Sequence, residues 1–428
     1  MANLEHESGY ASHGSSFWDL DEGEKAPELR WPLNVEIFDS MRRTDAQVIS
    51  VLRAVTLPIR RTEWRIDQNG ASDEVTEFVA RNLNLPLAGV DLGNLGRARD
   101  RFSWQEHLRL ALLMLPFGHS FFEQTYRFES GRFHIRKLGW RPPRTISKIE
   151  VAADGGLVAI EQHGVAGKNT PRIDVDRLVA YVNDREGGNW LGASLLRPAY
   201  KYWILKDRML RVQAQTVDRN GMGIPVFTAG ETPVALTSEE AKKWQDERIR
   251  QGLRLAKAYR SGNNAAAALG HGEKLETKGV GGTLPDADKP IRYYDEQIAR
   301  AVLAHFLNLG TETGSWALGS TFADFFTLSL QTVANQIADV ATQHIVDDLV
   351  DLNFGPDVPA PRVAFDEIGS RHPASADAVR ALIECGALTA DDDLESFIRT
   401  TYGLPQADPD TARERPKEAH SGTQSTEG

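Results

Sequence analysis

The sequence predicts an α+β fold in which long helices stand beside small antiparallel sheets. Between Ser120 and Asp184 the chain carries short apolar alternations separated by the turn signals ESG, ADGG and AGKN, which read as antiparallel strands. Residues 194–219 and Ser238 to Tyr259 read as two long charged helices. From Phe322 onward the apolar residues recur at spacings of three and four, the strongest periodic signal in the chain.

A chain of 428 residues has room for two or three cooperating domains and a large core. Its 41% apolar and 25% charged residues are ordinary for a globular protein. No run of about 18 uninterrupted apolar residues occurs, so neither a membrane span nor a membrane partner is expected. The start, MANLEHESGYASHGSS, has neither a basic n-region nor an apolar h-region. It does not read as a secretory signal, and the product is expected in a cytoplasm when made.

Residues 1–27 read as a flexible acidic arm, disordered or loosely docked, and residues 403–428 as a flexible tail. Asp45 to Leu57 places Val48, Val51, Leu52 and Val55 at helical spacing, and an extended piece follows at Trp64 to Asp67. Ser72 to Asn82 begins with a capping residue and predicts a second helix. Trp104 to Leu115 predicts a third, stopping before Pro116. The segments SFFEQTYRF, GRFHIRKLGW, KIEVAADGGLVAIEQH and DRLVAYVND then predict a mostly half-exposed antiparallel sheet.

The helix over 194–219 carries Arg197, Lys201, Lys206, Arg208, Arg211 and Arg219 against Asp207 and Asp218, a positive element in a chain of formal charge -11. It is either a solvated helix face or a contact for a polyanion. Asn220 to Gly230 breaks the helix and offers a short strand. The second charged helix follows, and then a glycine-rich stretch from Ser261 suited to turns or an exposed loop. Tyr294 to Leu307 predicts another helix. Last comes the periodic set Phe322, Phe326, Leu330, Val333, Ile337 and Val340, continued by Ile345, Leu349 and Leu352. It predicts a helix of about 30 residues, about 45 Å long, stopping at Asn353-Phe354-Gly355-Pro356.

Catalytic and metal chemistry find little support. The glycine loop LNLGTETGSWALGSTFADFF lacks the lysine of a phosphate-cradling loop, since none of Gly310, Gly314 or Gly319 is followed by one. HGVAGKNT has Gln162 where the first glycine should stand and Asn169 where the hydroxyl should stand. The eleven histidines form no H-E-x-x-H or His/Cys cluster. His344, Asp347 and Asp348 share a helix face that reads as surface charge, and Asp391 to Asp393 read as a solvated helix start. Cys385, the single cysteine, has no partner base in view and reads as a buried structural thiol. No cofactor or metal is expected, and no enzyme activity has positive support.

The order of elements resembles a bacteriophage portal protein of the phage Mu type. The residues that carry the resemblance are the strand FGHSFFEQTYRF, the turn DREGGNWLGASLLRPAY running into a long basic helix, and a short glycine-bounded insertion. A Leu-Gly loop followed by Gly-Ser then precedes the long helix, which closes with Leu352 to Gly355. The resemblance covers roughly residues 30–400; the length is short for the type, and the arm and tail match none of its motifs.

This resemblance implies a homododecameric ring at one capsid vertex in the virion, assembled in the host cytoplasm. Double-stranded DNA would pass through without sequence specificity during packaging and ejection. The implied partners are other copies of the chain, the large terminase, the major capsid protein and a head-tail connector or adaptor. By analogy residues 28–192 and the long helix 321–355 form the wing, and 193–219 the first stem helix. Residues 220–237 form part of the clip, 238–260 a second stem helix or clip helix, 261–308 a return between clip and wing, and 356–402 the crown. The stretch 309–320 would be the tunnel loop, with Gly310, Thr311, Glu312, Thr313, Gly314, Ser315, Trp316 and Gly319 nearest the axis. Arg197, Lys201, Lys206, Arg208 and Arg211 would form a basic stem face. The other readings are an ordinary interhelix loop with Trp316 packed on a neighbour, a nucleic-acid-processing enzyme, and a non-viral helical scaffold or adaptor.

Overall fold

The computed structural model describes residues 11, 24–88, 102–164, 170–221, 224–259, 269–278, 286–301, 316–369 and 383. The chain divides into two compact units, Met1–Ile368 and Gly369–Gly428. The expectations for Cys385, Asp391 to Asp393, most of the implied crown and the tail fall outside the described residues, as do those for Gly167 and Lys168.

Helices α1 (Leu33–Thr44) and α2 (Ala46–Arg61) meet at Asp45, whose Oδ1 accepts from the Gln47 and Val48 amides at 2.8 and 3.1 Å and caps α2. As the spacing predicts, α2 buries Val48, Val51 and Val55, with Ile59 beyond them. Strand β1 (Trp64–Asp67) follows, then α3 (Asp73–Leu83), capped by the Ser72 hydroxyl and closed by Asn84 at φ 51°. The helix expected over 104–115 is two pieces, α4 (Trp104–Ala111) and α5 (Met114–Phe117). Pro116 explains the break: in a continuous helix its ring would strike the carbonyl four residues back, at Leu112, and it has no N–H to donate.

The strand region is two sheets, where the sequence suggests one half-exposed sheet. Strands β2 (His119–Glu129) and β3 (Arg132–Arg141) form a hairpin. Strands β4 (Ile146–Val151), β5 (Leu157–Gln162) and β6 (Arg172–Asp174) form a second sheet, and β7 (Leu178–Val182) returns to β2. The orders are β3-β2-β7 and β4-β5-β6, all antiparallel. Pro142 and Pro143 stand between the sheets, where neither can donate a ladder hydrogen bond. The opening of β2 is fully buried, not half-exposed, because it is covered on both faces.

Beyond this region come α6 (Tyr200–Gly221), β8 (Ile224–Thr228), α7 (Ser238–Tyr259), β9 (Lys274–Lys278) and α8 (Asp288–Arg300). The glycine-rich stretch from Ser261 thus contributes β9, which pairs antiparallel with β8. Helix α8 begins six residues before the expected Tyr294, with Pro290 in its first turn, where a missing N–H costs nothing.

The long apolar helix consists of α9 (Trp316–Ala341), a π-helical turn (Thr342–Val346) and α10 (Asp347–Phe354), ending at Gly355 with φ 99°. Phe326, Leu330, Ile337, Ile345 and Leu349 are buried, and Val333 and Val340 pack against the same core. Leu352 departs from the pattern and is 46% exposed. The π turn inserts an extra residue into the helical repeat, so the buried pairs are Ile345 with Val346 within it and Leu349 with Val350 after it, and Leu352 rotates out. The sheet between β1 and β10 (Arg362–Phe365), with Trp64 opposite Phe365, ties the end of this helix to the start of the chain.

Two buried clusters result. One joins α2, α3, α4, β1 and the β2–β7 pair to the long helix; the other joins α1, α5 and the β4–β6 sheet to residues 191–199. His107 lies in the first, its Nε2 2.8 Å from the Tyr181 hydroxyl. Burial lowers its pKa to about 3, so it sits there as a neutral imidazole.

Candidate functional site

The implied channel elements radiate from the loop 183–199 that leads into α6. This loop is fixed by close backbone contact. A Cβ on Gly118 would lie 2.3 Å from the Leu191 carbonyl oxygen, and one on Gly192, at φ 65°, 2.4 Å from the Gly118 oxygen. Only glycine permits that approach. The Asn183 amide donates to Gly118 O at 2.8 Å, Leu195 N to Leu115 O at 2.9 Å, and the Ser194 hydroxyl to Pro116 O at 2.6 Å. His119 Nδ1 donates to Leu191 O at 3.1 Å; burial outweighs that bond and lowers its pKa to about 4. The LGAS stretch is therefore a clamp that fixes the approach to α6 against residues 115–119.

The helix starts at Tyr200, six residues later than the sequence suggests, because Pro198 disfavours helical conformation in the residue before it. Arg197 consequently sits in the preceding turn, where its Nη2 donates to Glu24 Oε1 at 2.9 Å. Burial would raise the Glu24 pKa, but the Arg197 pairing and the Ala26 amide hold it below the usual carboxylate range.

Lys206 also leaves the expected basic face. It is 8% exposed, and its Nζ pairs with Asp45 Oδ2 at 3.0 Å and Asp295 Oδ1 at 2.6 Å. Burial pulls the Lys206 pKa down, yet the two carboxylates outweigh it and raise the value. One ammonium thus joins α6 to the cap of α2 and to α8. Tyr202 adds aromatic contacts to Tyr293 and Tyr294, both with ring centroids at 6.4 Å.

Arg211 spends its charge within the helix, on Asp207 at 2.8 Å. Lys201 and Arg208 remain exposed two turns apart on one side, the Lys201 ammonium 6.0 Å from the Tyr202 ring. The five residues expected to form one basic face therefore do not do so: two sit elsewhere and one is paired along the helix. A sequence count of charges is blind to partners from α2 and α8, which lie far away in the chain.

What sequence reading missed on α6 is apolar. Ile204, Leu210, Val212 and Val217 are 43%, 43%, 42% and 65% exposed, interleaved with the charges. Ile249 and Leu253 on α7 and Phe325 and Leu328 on α9 are exposed in the same way. They are bulky apolar side chains left at the surface of long helices. The only signal for them in the sequence is surplus: α6 has more bulky apolar residues than one buried stripe uses.

Of the expected tunnel loop, Gly310, Thr311, Glu312, Thr313, Gly314 and Ser315 lie outside the described residues. Trp316 and Gly319 fall in the first turns of α9, so the loop ends before Trp316 and not at 320; the apolar W-A-L start carries no helix breaker. The side chains of both residues lie outside the description.

Asp348, one of three residues considered for a metal, accepts from Gln124 Nε2 at 2.7 Å and has its pKa raised by burial foremost. Among the described residues no group of three or more His, Cys, Asp or Glu could hold a metal ion. Among the same residues no helix is long and apolar enough to cross a membrane.

The fold has counterparts among solved structures. The neck of an empty GTA (gene transfer agent) particle with C6 symmetry contains a chain 13% identical, at a TM-score of 0.53, with 86% of this chain and 94% of that chain covered. The neck of a native GTA particle with C12 symmetry contains a chain 13% identical at 0.52, covering 88% and 95%. A crystal structure of an HK97-family phage portal protein from Corynebacterium diphtheriae aligns at 0.40, with 16% identity, over 75% of this chain and 92% of that one. Residues 35–404 match the family described as the portal protein of Mu bacteriophage. A match over most of the chain, on a fold shared with particle necks, makes this chain a member of the Mu-type portal protein family, the ring-shaped channel of a phage particle.

Proposed function

We propose that twelve copies of this chain close into the ring at a capsid vertex, that α6 lines the stem, and that residues 310–315 reach toward the axis from the start of α9. The observation that carries the packing is the exposed apolar set Ile204, Leu210, Val212 and Val217 on α6, a helix that within this chain packs against α8 through Lys206 and Tyr202. A heterologous interface that closes by rotation buries such a set once per subunit. The C12 symmetry of the GTA neck supports the copy number. Double-stranded DNA is the passenger, and the large terminase, major capsid protein and head-tail connector are the docking partners, in the virion and during assembly in the host cytoplasm.

A conduit must not grip what it passes. The chain's net charge of -11 serves that requirement, as do the internal pairings of Lys206 and Arg211. Cryo-electron microscopy of the assembled ring, with native mass measurement of Leu210→Glu and Val212→Glu variants, tests the reading. Rings with α6 facing its neighbours, lost in both variants while the monomer stays folded, are expected. A wild-type chain that remains monomeric under all assembly conditions, or rings in which α6 faces only solvent, would refute it.

A further inference from the structure

The arm makes a contact that the portal reading does not use. Ala11 N donates to Ala153 O at 2.8 Å, on the tip of the β4–β5 hairpin. Two glycines shape the space around it. Gly155 has φ 87°, and a Cβ there would lie 3.0 Å from the Ala11 Cβ; Gly187 has φ 54°, and its Cβ would lie 3.4 Å from the Ala11 carbonyl oxygen.

Gly155 and Gly188 are both buried although they stand in turns. The two turns lie against each other, a Cβ on Gly155 falling 3.4 Å from Gly188 N, and Ala11 sits at their junction. The far wall is Trp190, whose Nε1 donates to Gly155 O at 2.8 Å and whose ring is stacked by the Arg185 guanidinium at 4.4 Å. The indole bond holds the hairpin tip against the 184–190 loop, and that loop runs directly into the clamp at Gly192.

We infer that the turn Ala152–Gly156 and the loop Asp184–Trp190 form a peptide-docking groove, and that its occupant is the small-residue segment around Ala11 of this same chain. The groove recognises backbone and small side chains. Its contact is a main-chain hydrogen bond to a carbonyl beside two positions without Cβ atoms, so a bulky residue at position 11 has no room. Ser8, Gly9 and Ser12 around the contact are small, and Tyr10 is the one bulky neighbour of Ala11. Ala11, beside both segments, would tie the tip of the β4–β5 hairpin to the loop that leads into α6.

Hydrogen exchange on the full chain and on a chain lacking residues 1–23 tests the proposal. Exchange in segments 150–158 and 184–192 should rise about two- to tenfold on deletion, because losing one hydrogen bond of about 0.5–1.5 kcal/mol makes their local opening easier by that factor, with the β2–β3 hairpin unchanged. A synthetic peptide of residues 4–15 added to the shortened chain should restore protection, and the same peptide with Ala11→Trp should not. Equal exchange in both chains, or equal restoration by both peptides, overturns the groove. Protection that appears only in multi-subunit assemblies overturns the same-chain assignment and gives the groove to a neighbour's arm.

Discussion

Replacing Lys206 by methionine keeps the length of the side chain and removes the charge that joins α6, α2 and α8. In the wild type, the Lys206 and Asp45 side chains are 10% and 9% exposed, and that of Asp295 is 30% exposed. Removing one member of a buried ion pair costs about 3–5 kcal/mol, because the partner is left charged and unpaired. Here the cost is reduced: Asp45 keeps the Gln47 and Val48 amides, and Asp295 reaches water. About 2–3 kcal/mol is therefore expected for K206M. Urea unfolding reads this as a midpoint lower by about 1 M, for a slope near the upper end of 1–3 kcal/mol per M.

The double variant K206M/D295N should be scarcely less stable than K206M, since Asp295→Asn removes the charge that K206M strands. The pH dependence has a definite sign. The folded pKa of Lys206 is raised, so its contribution is complete below the unfolded value near 10.5 and is lost as pH climbs through the folded value. Wild type and K206M should thus converge only in strong alkali. A K206M midpoint indistinguishable from wild type at pH 7, or strictly additive losses in the double variant, would refute the triad as a joint.

Two further outcomes follow from buried groups. His107 and His119 are neutral in the fold, with pKa lowered to about 3 and about 4, so their contribution is complete above the unfolded value near 6.5 and lost as pH falls below it. At 1.36 kcal/mol per unit, each costs on the order of 3 kcal/mol by pH 4; His119→Asn, which can still donate to Leu191 O, should flatten the acid limb of a thermal-melt series, and an unchanged limb would count against the assignment. Gly252 in α7 lies under Phe227 of β8, and a Cβ there would fall 1.9 Å from the ring. Gly252→Ala should therefore cost about 1–3 kcal/mol by overpacking and raise hydrogen exchange in β8 and β9, with Phe227→Ala restoring the fit; unaltered exchange would dismiss the contact.

Local chemistry made much of the fold legible before any coordinates. The helices around Val48 to Val55, from Ser72, and from Ser238 to Tyr259 follow from spacing and caps that lie within each segment. So does the stop of the long helix at Gly355, where a positive φ ends the ladder. The departures came from prolines, whose effect is local, and from partners distant in the chain. One expected sheet became two at Pro142-Pro143, and β9 was hidden in a glycine-rich stretch because its pairing with β8 is made across the whole of α7.

The candidate site divides along the same line. By itself the sequence determined the family-bearing order of elements, the positive charge of the α6 segment and the long apolar repeat, because each depends on residues near one another in the chain. Only the tertiary structure decided that Lys206 is a buried joint, that Arg197 pairs with Glu24, that LGAS is a clamp, and that Leu352 turns outward beyond the π turn. Burial and pairing are properties of what lies across a contact, and one-dimensional spacing carries no record of it.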